Sequence, residues 1–216
     1  MNGADLLRAA LEQRVVPLFY EPDAARAADV VVGLAEGGAR LIEFTLRGPR
    51  AELVLARLVD TAPAGAVVGA GSVRDVHDAR LALDAGAAFV VGPNGDAAVA
   101  ELCAAHGIGY VPGSLTPSEI VTARSWGCEL IKVFPASAVG GPAYVKAVRG
   151  PLPDVQLMAT GGVGPDDVRS YLAAGAACVG LGSELVRKAW VAAGDVASLA
   201  DAMRSTLAAA AATGKG

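Results

Sequence analysis

The sequence predicts a single domain with an α/β fold, a (β/α)8 TIM barrel, and three observations support this prediction. Eight short runs of β-branched and aliphatic residues recur about 21 to 27 residues apart. Helical stretches lie between them, and several end in glycine, which supplies the left-handed cap of a helix without a Cβ clash. No G-x-G-x-x-G fingerprint follows the first run, and no linker divides residues 1–216. Strands buried on both faces that alternate with helices are typical of parallel β/α proteins, and eight such units in one domain favour a closed barrel.

The predicted strands lie between an N-terminal helix and a C-terminal helix near residues 195–212. In order, the strand-like runs are VVPLFY (15–20), RLIEFTL (40–46), VVGAGS (67–72), AFVVGP (88–93), GYVPGS (109–114), LIKVFPA (130–136), QLMATGG (156–162) and ACVGLGS (177–183). One helix has a particularly clear start, because Thr116 is a good N-cap, Pro117 suits the first helical position and Glu119 completes a capping box. The last six residues, AATGKG, are predicted to form a frayed tail.

Composition and charge exclude several classes of function. The chain has 216 residues, 53% of them hydrophobic, and a net charge of -4 without a basic stripe, which disfavours binding to nucleic acid. No apolar run reaches the ~18 residues of a membrane helix, and the N-terminus lacks the apolar block of a signal peptide. The cysteines are widely spaced and odd in number, which disfavours a disulfide framework or a metal site and favours a cytoplasmic protein. They are Cys103, Cys128 and Cys178.

A lysine inside a predicted buried strand is the first candidate for chemistry. Side chains alternate along a strand, so Leu130, Lys132 and Phe134 share one face. A buried lysine is costly unless it has a role or a partner. Lys132 is therefore either a functional amine or a structural lysine that reaches the barrel mouth and pairs with an acid.

A second strand carries three polar residues on one face. In LIEFTLR, the side chains of Glu43, Thr45 and Arg47 point the same way. An internal Glu–Arg pair would explain two of them. Because Lys132 is also predicted to face inward, a functional site at the barrel mouth is the simpler interpretation.

Two glycine-rich strand ends predict a site for an anion. The first is Thr160-Gly161-Gly162, and the second is Gly182-Ser183, just before a short helix predicted at residues 184–190. Glycines let backbone N–H groups approach an anion, and a helix N-terminus adds positive potential. The loops after the last two strands hold phosphate in many barrels of this type.

At these residues the sequence resembles the 2-keto-3-deoxy-6-phosphogluconate (KDPG) and 4-hydroxy-2-oxoglutarate (KHG) aldolase family. The similarity extends from about Val15 to Val186 and rests on several motifs in the same order: VVPLF, EGGARLIEFTLR, VVGAGSV, VPGSLTPSEI, ELIKVFPAS, ATGGV and GLGSELV. The resemblance implies a metal-independent, cofactor-free class I aldolase that acts as a homotrimer. It implies cleavage of a phosphorylated 2-keto-3-deoxy sugar acid to pyruvate and glyceraldehyde 3-phosphate.

The resemblance also implies a role for each matching residue. Lys132 would form the Schiff base, Glu43 would be the general acid/base, and Arg47 would bind the pyruvate carboxylate together with Ser72, where the family usually has threonine. The remaining substrate contacts that it implies are Pro93, Phe134, Thr160, Gly161, Gly162, Gly182 and Ser183.

Two positions depart from the family pattern. Tyr20 stands where many relatives carry arginine, and Pro93-Asn94 is similar to the phosphogalactonate branch of the family. The substrate could therefore have the gluconate or the galactonate configuration, or be 4-hydroxy-2-oxoglutarate. Two further classes of protein stay open, a phosphate-binding barrel isomerase or epimerase and a catalytically silent scaffold. His77 and His106 lie on predicted helices and are expected to be ordinary surface residues.

Overall fold

The computed structural model describes residues 1–213 and shows nine short parallel strands that form a nearly closed barrel within a layer of helices. The strands are β1 (Val15–Phe19), β2 (Leu41–Thr45), β3 (Val67–Gly71), β4 (Phe89–Val91), β5 (Gly109–Val111), β6 (Gly113–Ser114), β7 (Leu130–Val133), β8 (Gln156–Thr160) and β9 (Cys178–Leu181). The last three residues of the predicted frayed tail, 214–216, lie outside the described residues.

Helices separate most of the strands and flank them at both ends. They are α1 (Gly3–Gln13), α2 (Ala24–Glu36), α3 (Ala51–Thr61), α4 (Val76–Asp84), α5 (Ala97–Ala105), α6 (Pro117–Ser125), α7 (Pro142–Arg149), α8 (Val168–Ala173), α9 (Lys188–Ala193) and α10 (Val196–Ala211). The predicted capping box is confirmed at the start of α6, where Thr116 and Glu119 exchange hydrogen bonds with the backbone.

Each predicted run contains a strand, but the fifth run contains two, so the prediction of eight strands is only partly correct. β5 pairs with β4, β6 pairs with β7, and Pro112 lies between them. Proline has no N–H for a strand ladder, so the pairing is interrupted at this residue. Its carbonyl still accepts a hydrogen bond from the Lys132 amide at 2.9 Å, which links the two ends of the sheet.

The N-terminal end of the barrel is closed by α1. Leu6 and Ala10 of α1 pack against apolar side chains inside the barrel, including Phe89 and Met158. The buried side chain of Gln13 donates to the carbonyls of Val15 and Leu41 and accepts from the amides of Arg40 and Leu41. Polar backbone groups at this end of β1 and β2 are thereby hydrogen-bonded, and both cavities described below lie at the other end of the barrel.

The segment after β9 differs from the prediction. A short helix was expected at residues 184–190, whereas the chain makes one tight turn in which Leu185 and Val186 donate to the Gly182 carbonyl. The helix α9 then starts at Lys188. Gly194 follows α9 in the left-handed conformation, and α10 packs on α2 and α8. The turn, rather than a helix, therefore presents the backbone near Ser183.

Candidate active site

Lys132 occupies the inner face of the barrel. It lies in β7, in register with Gly113 of β6 and Met158 of β8, and only 5% of it is exposed. Its neighbours on the strand, Ile131 and Val133, point outward and are fully buried beneath the helices. The alternation predicted from the sequence therefore places the amine inside the barrel, with the ring of Phe134 centred 5.1 Å from Nζ.

The surroundings of Lys132 favour its neutral form. Burial lowers the pKa of this amine from its ordinary value, because the charged form loses solvation. The carboxylate of Glu43 acts against this shift, and the guanidinium of Arg47 adds to it. Burial prevails, so the fraction of neutral, nucleophilic amine at neutral pH is larger than for a lysine in water.

Glu43 faces the same interior from β2 and is 1% exposed. Burial raises the pKa of its carboxyl group, while the charges of Lys132 and Arg47 oppose the rise. Within residues 1–213, the Oε2 atom has no hydrogen-bond partner, and the carboxylate makes no ion pair with Lys132. An unpartnered buried oxygen of raised pKa is suited to exchanging protons with a bound molecule.

Gly71, the last residue of β3, makes room for this carboxylate. A Cβ atom at position 71 would lie 2.0 Å from Oε1 of Glu43 and 2.6 Å from its Cγ. The backbone of Gly71 is not in the left-handed region, so its conformation does not require glycine. Close approach of Glu43 explains the residue, which the sequence analysis did not single out, although a glycine inside a strand is a signal of such an approach.

Replacing Gly71 with alanine is expected to displace Glu43 and lower kcat by about 100-fold, the loss that a shift of about 1 Å at a reacting group can cause. Steady-state kinetics would measure it. Gly3→Ala is the matched control, because a Cβ atom there meets nothing within 4 Å. A folded Gly71→Ala variant with the kcat of the unaltered protein would contradict this role.

Arg47 lies two residues beyond β2 at the rim of the barrel. Its Nε donates to the hydroxyl of Ser72 at 3.2 Å, and the residue is exposed. Ser72 follows β3 and adopts a left-handed φ of 61°, a conformation that is uncommon for residues other than glycine and often marks functional sites. The pair presents a guanidinium and a hydroxyl together, which is an arrangement that can bind a carboxylate.

The two glycine-rich strand ends lie beside one another, as predicted. Thr160 pairs with Gly180 at the ends of β8 and β9, and Gly161 and Gly162 both have positive φ angles. Thr160 Oγ1 is buried and has no partner in residues 1–213. Several backbone amides around these turns also donate no hydrogen bond within that part of the chain, among them those of Gly162, Val163, Ser183 and Glu184. Free amides at adjacent turns can bind an anion.

The remaining predicted contacts line two cavities at the rim. Gly182, Ser183 and Arg47 line a cavity of about 750 Å³ between the end of β1 and α9. Pro93 and Phe134 line a second cavity of about 430 Å³ beside α6. The predicted site residues thus all lie at the open end of the barrel or in its interior near that end, but they face different spaces.

Other expectations concern the surface and possible ligands. His77 is exposed on α4, as predicted, whereas His106 is exposed but lies directly after α5 and not on the helix. Among residues 1–213, no three His, Cys, Asp or Glu side chains are grouped as metal ligands would be; the metal-independent chemistry stays a prediction. No helix in this range is both long and apolar enough to cross a membrane.

Comparison with known proteins places the chain in a family. Residues 7–202 match the aldolase family described as KDPG and KHG aldolase. The chain is 36% identical over 187 residues to a probable 2-dehydro-3-deoxy-6-phosphogalactonate aldolase of Rhizobium meliloti, covering 86% of this chain and 87% of the relative. It is 34% identical over 197 residues to the 2-dehydro-3-deoxy-phosphogluconate aldolase of Pseudomonas aeruginosa, covering 91% and 89%.

A solved structure agrees with these relatives. The KDPG aldolase of Legionella pneumophila, with pyruvate captured at low pH as a covalent carbinolamine intermediate, superimposes with a TM-score of 0.85 at 28% identity, covering 92% of this chain and 97% of that one. Covalent capture of pyruvate in that protein is the chemistry of a class I aldolase. The chain belongs to the KDPG and KHG aldolase family and is a carbon–carbon lyase, a class I aldolase.

Proposed function

We propose that this aldolase cleaves 2-dehydro-3-deoxy-6-phosphogluconate to pyruvate and glyceraldehyde 3-phosphate through a Schiff base on Lys132. The observation that carries the proposal is the buried Lys132 amine sharing the barrel interior with the unpartnered carboxylate oxygen of Glu43. A surface lysine paired with an acid, the structural alternative, would lie in solvent beside its partner.

In the first step, the neutral amine of Lys132 attacks the C2 ketone of the substrate and forms a carbinolamine. Loss of water gives a protonated imine, which withdraws electrons from the neighbouring carbon. Deprotonation of the C4 hydroxyl then breaks the C3–C4 bond, releases the aldehyde and leaves an enamine on the lysine. Protonation of the enamine at C3 and hydrolysis of the imine release pyruvate and restore Lys132.

Glu43 is suited to move the protons in this sequence. It donates a proton to the departing carbinolamine hydroxyl, accepts one from the C4 hydroxyl and returns one to C3, directly or through a water molecule. Burial raises the pKa of this carboxyl group, and the higher pKa makes it a better proton acceptor for the C4 hydroxyl while it can still donate the proton afterwards.

The two ends of the substrate have separate binding groups in this proposal. Arg47 and Ser72 bind the carboxylate next to the ketone, and the free amides near Gly162 and Ser183 bind the phosphate. Binding of both ends orients the C3–C4 bond at the imine, which lets binding energy from remote groups promote the reaction.

Reduction with borohydride in the presence of pyruvate tests the proposal directly. We expect the protein mass to increase by one reduced pyruvate and peptide mapping to place the adduct on Lys132. Lys146, which is exposed on α7, is an internal control and should stay unmodified. An unmodified protein would argue against a Schiff base with pyruvate, and an adduct elsewhere would assign the Schiff base to another lysine; either result would overturn the role of Lys132.

The galactonate analogue is a second candidate substrate. It is favoured by the Pro93-Asn94 sequence at the rim and by the identity to the Rhizobium relative. Values of kcat/KM for the phosphogluconate compound, the phosphogalactonate compound and 4-hydroxy-2-oxoglutarate would rank the candidates. Because the anion turns are intact, we expect the phosphorylated compounds to be preferred over their forms without phosphate. Equal kcat/KM with and without phosphate would overturn the assignment of these turns.

The pH dependence of adduct formation should reveal the lowered pKa of Lys132. At saturating pyruvate, the rate of trapping rises with the neutral fraction of the amine, so its midpoint should lie below the ordinary value of 10.5. Arg47→Gln removes a cation that disfavours protonation and should move the midpoint to higher pH. A midpoint that is the same in both proteins would show that Arg47 does not influence the amine.

A further inference from the structure

Tyr20, which follows β1, packs against the loop that carries Arg47. Its ring lies 6.0 Å from the ring of Phe44, which is fully buried in β2. The edge of the Tyr20 ring with its hydroxyl group rests on the backbone of Gly48, since a Cβ atom at position 48 would lie 1.9 Å from the hydroxyl oxygen and 2.6 Å from Cζ. The tyrosine thus touches the residue directly after Arg47.

The contact with Tyr20 explains why position 48 is a glycine. The φ angle of Gly48 lies outside the left-handed region, so the local backbone would accept an alanine. The three atoms closest to a Cβ at this position all belong to Tyr20. The β2 side of the contact is also anchored, because Thr45 Oγ1 donates to the Phe19 carbonyl at 3.1 Å and ties the ends of β1 and β2 together.

Arg47 needs such support because little else holds it. Its side chain is exposed, and its one described side-chain hydrogen bond is the contact with Ser72. A free arginine side chain has large rotamer entropy, much of which is lost when it binds a carboxylate in a fixed geometry. Contacts with Ser72 on one side and Tyr20 on the other restrict this loop before the ligand binds, so Arg47 loses less conformational entropy on binding.

We propose that Tyr20 is a positioning residue that holds the Arg47 loop in the geometry for binding the carboxylate of the 2-keto acid. This inference rests on the proposed function of Arg47 in carboxylate binding. Tyr20 acts through packing with Gly48 and does not touch the reacting atoms. The prediction that follows is a change in affinity for pyruvate, with the chemistry at Lys132 largely preserved.

The test compares four variants by borohydride trapping over a range of pyruvate concentrations. Tyr20→Leu removes the aromatic contact, and Gly48→Ala introduces a clash with Tyr20. Each is expected to raise the half-saturating pyruvate concentration about tenfold, the equivalent of about one hydrogen bond to a charged group. The limiting trapping rate should stay within about threefold of the original. Tyr20→Phe keeps the ring against Gly48 and should change either quantity by no more than about twofold.

The double variant Tyr20→Leu with Gly48→Ala is the decisive control. The alanine finds space once the tyrosine is gone, so the double variant should resemble Tyr20→Leu alone. If the half-saturating pyruvate concentration of the double variant rose about a hundredfold, the two substitutions would act independently and the proposal would be overturned. Thermal unfolding of every variant separates a loss of fold from a loss of affinity.

Aldol addition to glyceraldehyde 3-phosphate gives a second readout, since Tyr20 also lines the larger cavity. We expect KM for the aldehyde to be unchanged while that for pyruvate rises. The reverse pattern, or an unchanged half-saturation for pyruvate, would overturn the proposal. Failure of the proposed function would look different, because the unaltered protein itself would then form no pyruvate adduct.

Discussion

Replacing Lys132 with methionine is expected to lower kcat by about four orders of magnitude or more and to abolish trapping of pyruvate by borohydride, because no other described side chain in the barrel interior offers an amine. Methionine has nearly the length of the lysine stem, so the barrel should stay packed. Steady-state kinetics and intact-protein mass would measure the two effects. Lys146→Met changes an exposed lysine and should retain both activities.

The same substitution is expected to stabilise the protein. A buried amine without an ion-pair partner is costly, and replacing buried charged groups by apolar ones of similar volume is often neutral or stabilising by about 1–4 kcal/mol. The pKa of Lys132 is lowered in the folded protein. At pH values between this lowered pKa and the ordinary lysine pKa, the unfolded chain therefore binds more protons at this residue than the folded protein does. The penalty imposed by this lysine therefore decreases as the pH rises through that window.

Denaturant unfolding at several pH values would test this linkage. The free energy of unfolding of Lys132→Met should exceed that of the unaltered protein at neutral pH, and the difference should shrink toward the ordinary lysine pKa. A difference that grows with pH would mean that the amine is charged and stabilised in the folded state. In that case another explanation would be needed for its nucleophilicity.

Replacing Glu43 with glutamine is expected to lower kcat by about 10²- to 10⁴-fold, the usual contribution of a general acid/base. Glutamine fills the same space over Gly71 but cannot donate and accept a proton in turn. The pyruvate adduct should still form in this variant, although more slowly, because the amine of Lys132 is present. Loss of turnover with retention of the adduct is the result that distinguishes proton transfer from nucleophilic attack.

Glu101→Gln, on an exposed face of α5, is the matched control and should be unchanged in kcat. Exchange of the methyl protons of pyruvate with deuterated water, followed by NMR, gives an independent measurement. This exchange requires protonation of the enamine at the methylene carbon, so it should slow in Glu43→Gln about as much as turnover does. Exchange at the original rate would assign this proton transfer to another group.

Local signals in the sequence were sufficient to predict most of the strands and the inward placement of Lys132 and Glu43. The period-two alternation in LIKVF and LIEFTLR places Lys132 and Glu43 on the inner faces of their strands. Both faces of these strands are buried, so neither side chain can point into solvent. The capping box at Thr116 was readable for the same reason, since its partners are three residues apart. The break in the fifth strand had a local signal in Pro112, which the sequence analysis did not use.

Features that depend on contacts across the barrel were not predictable. Gln13 ends a helix in the sequence, and only the folded barrel shows that its side-chain amide donates hydrogen bonds to backbone carbonyls of β1 and β2. The support of Arg47 by Ser72 and Tyr20 joins residues 25 and 27 positions away from it. The turn at 183–186 stands where a helix was predicted, and its described hydrogen bonds run from Leu185 and Val186 to the Gly182 carbonyl.

The closure of the barrel by α1 also constrains the order of events in catalysis. Because α1 covers one end of the barrel, substrate entry and the release of both products take place through the same opening at the other end. In the proposed mechanism, the pyruvyl fragment is still bonded to Lys132 when the C3–C4 bond breaks, and it occupies the inner position. The aldehyde, nearer the exit and free of any bond, therefore departs first, and in the synthetic direction the keto acid must already be in place before the aldehyde arrives.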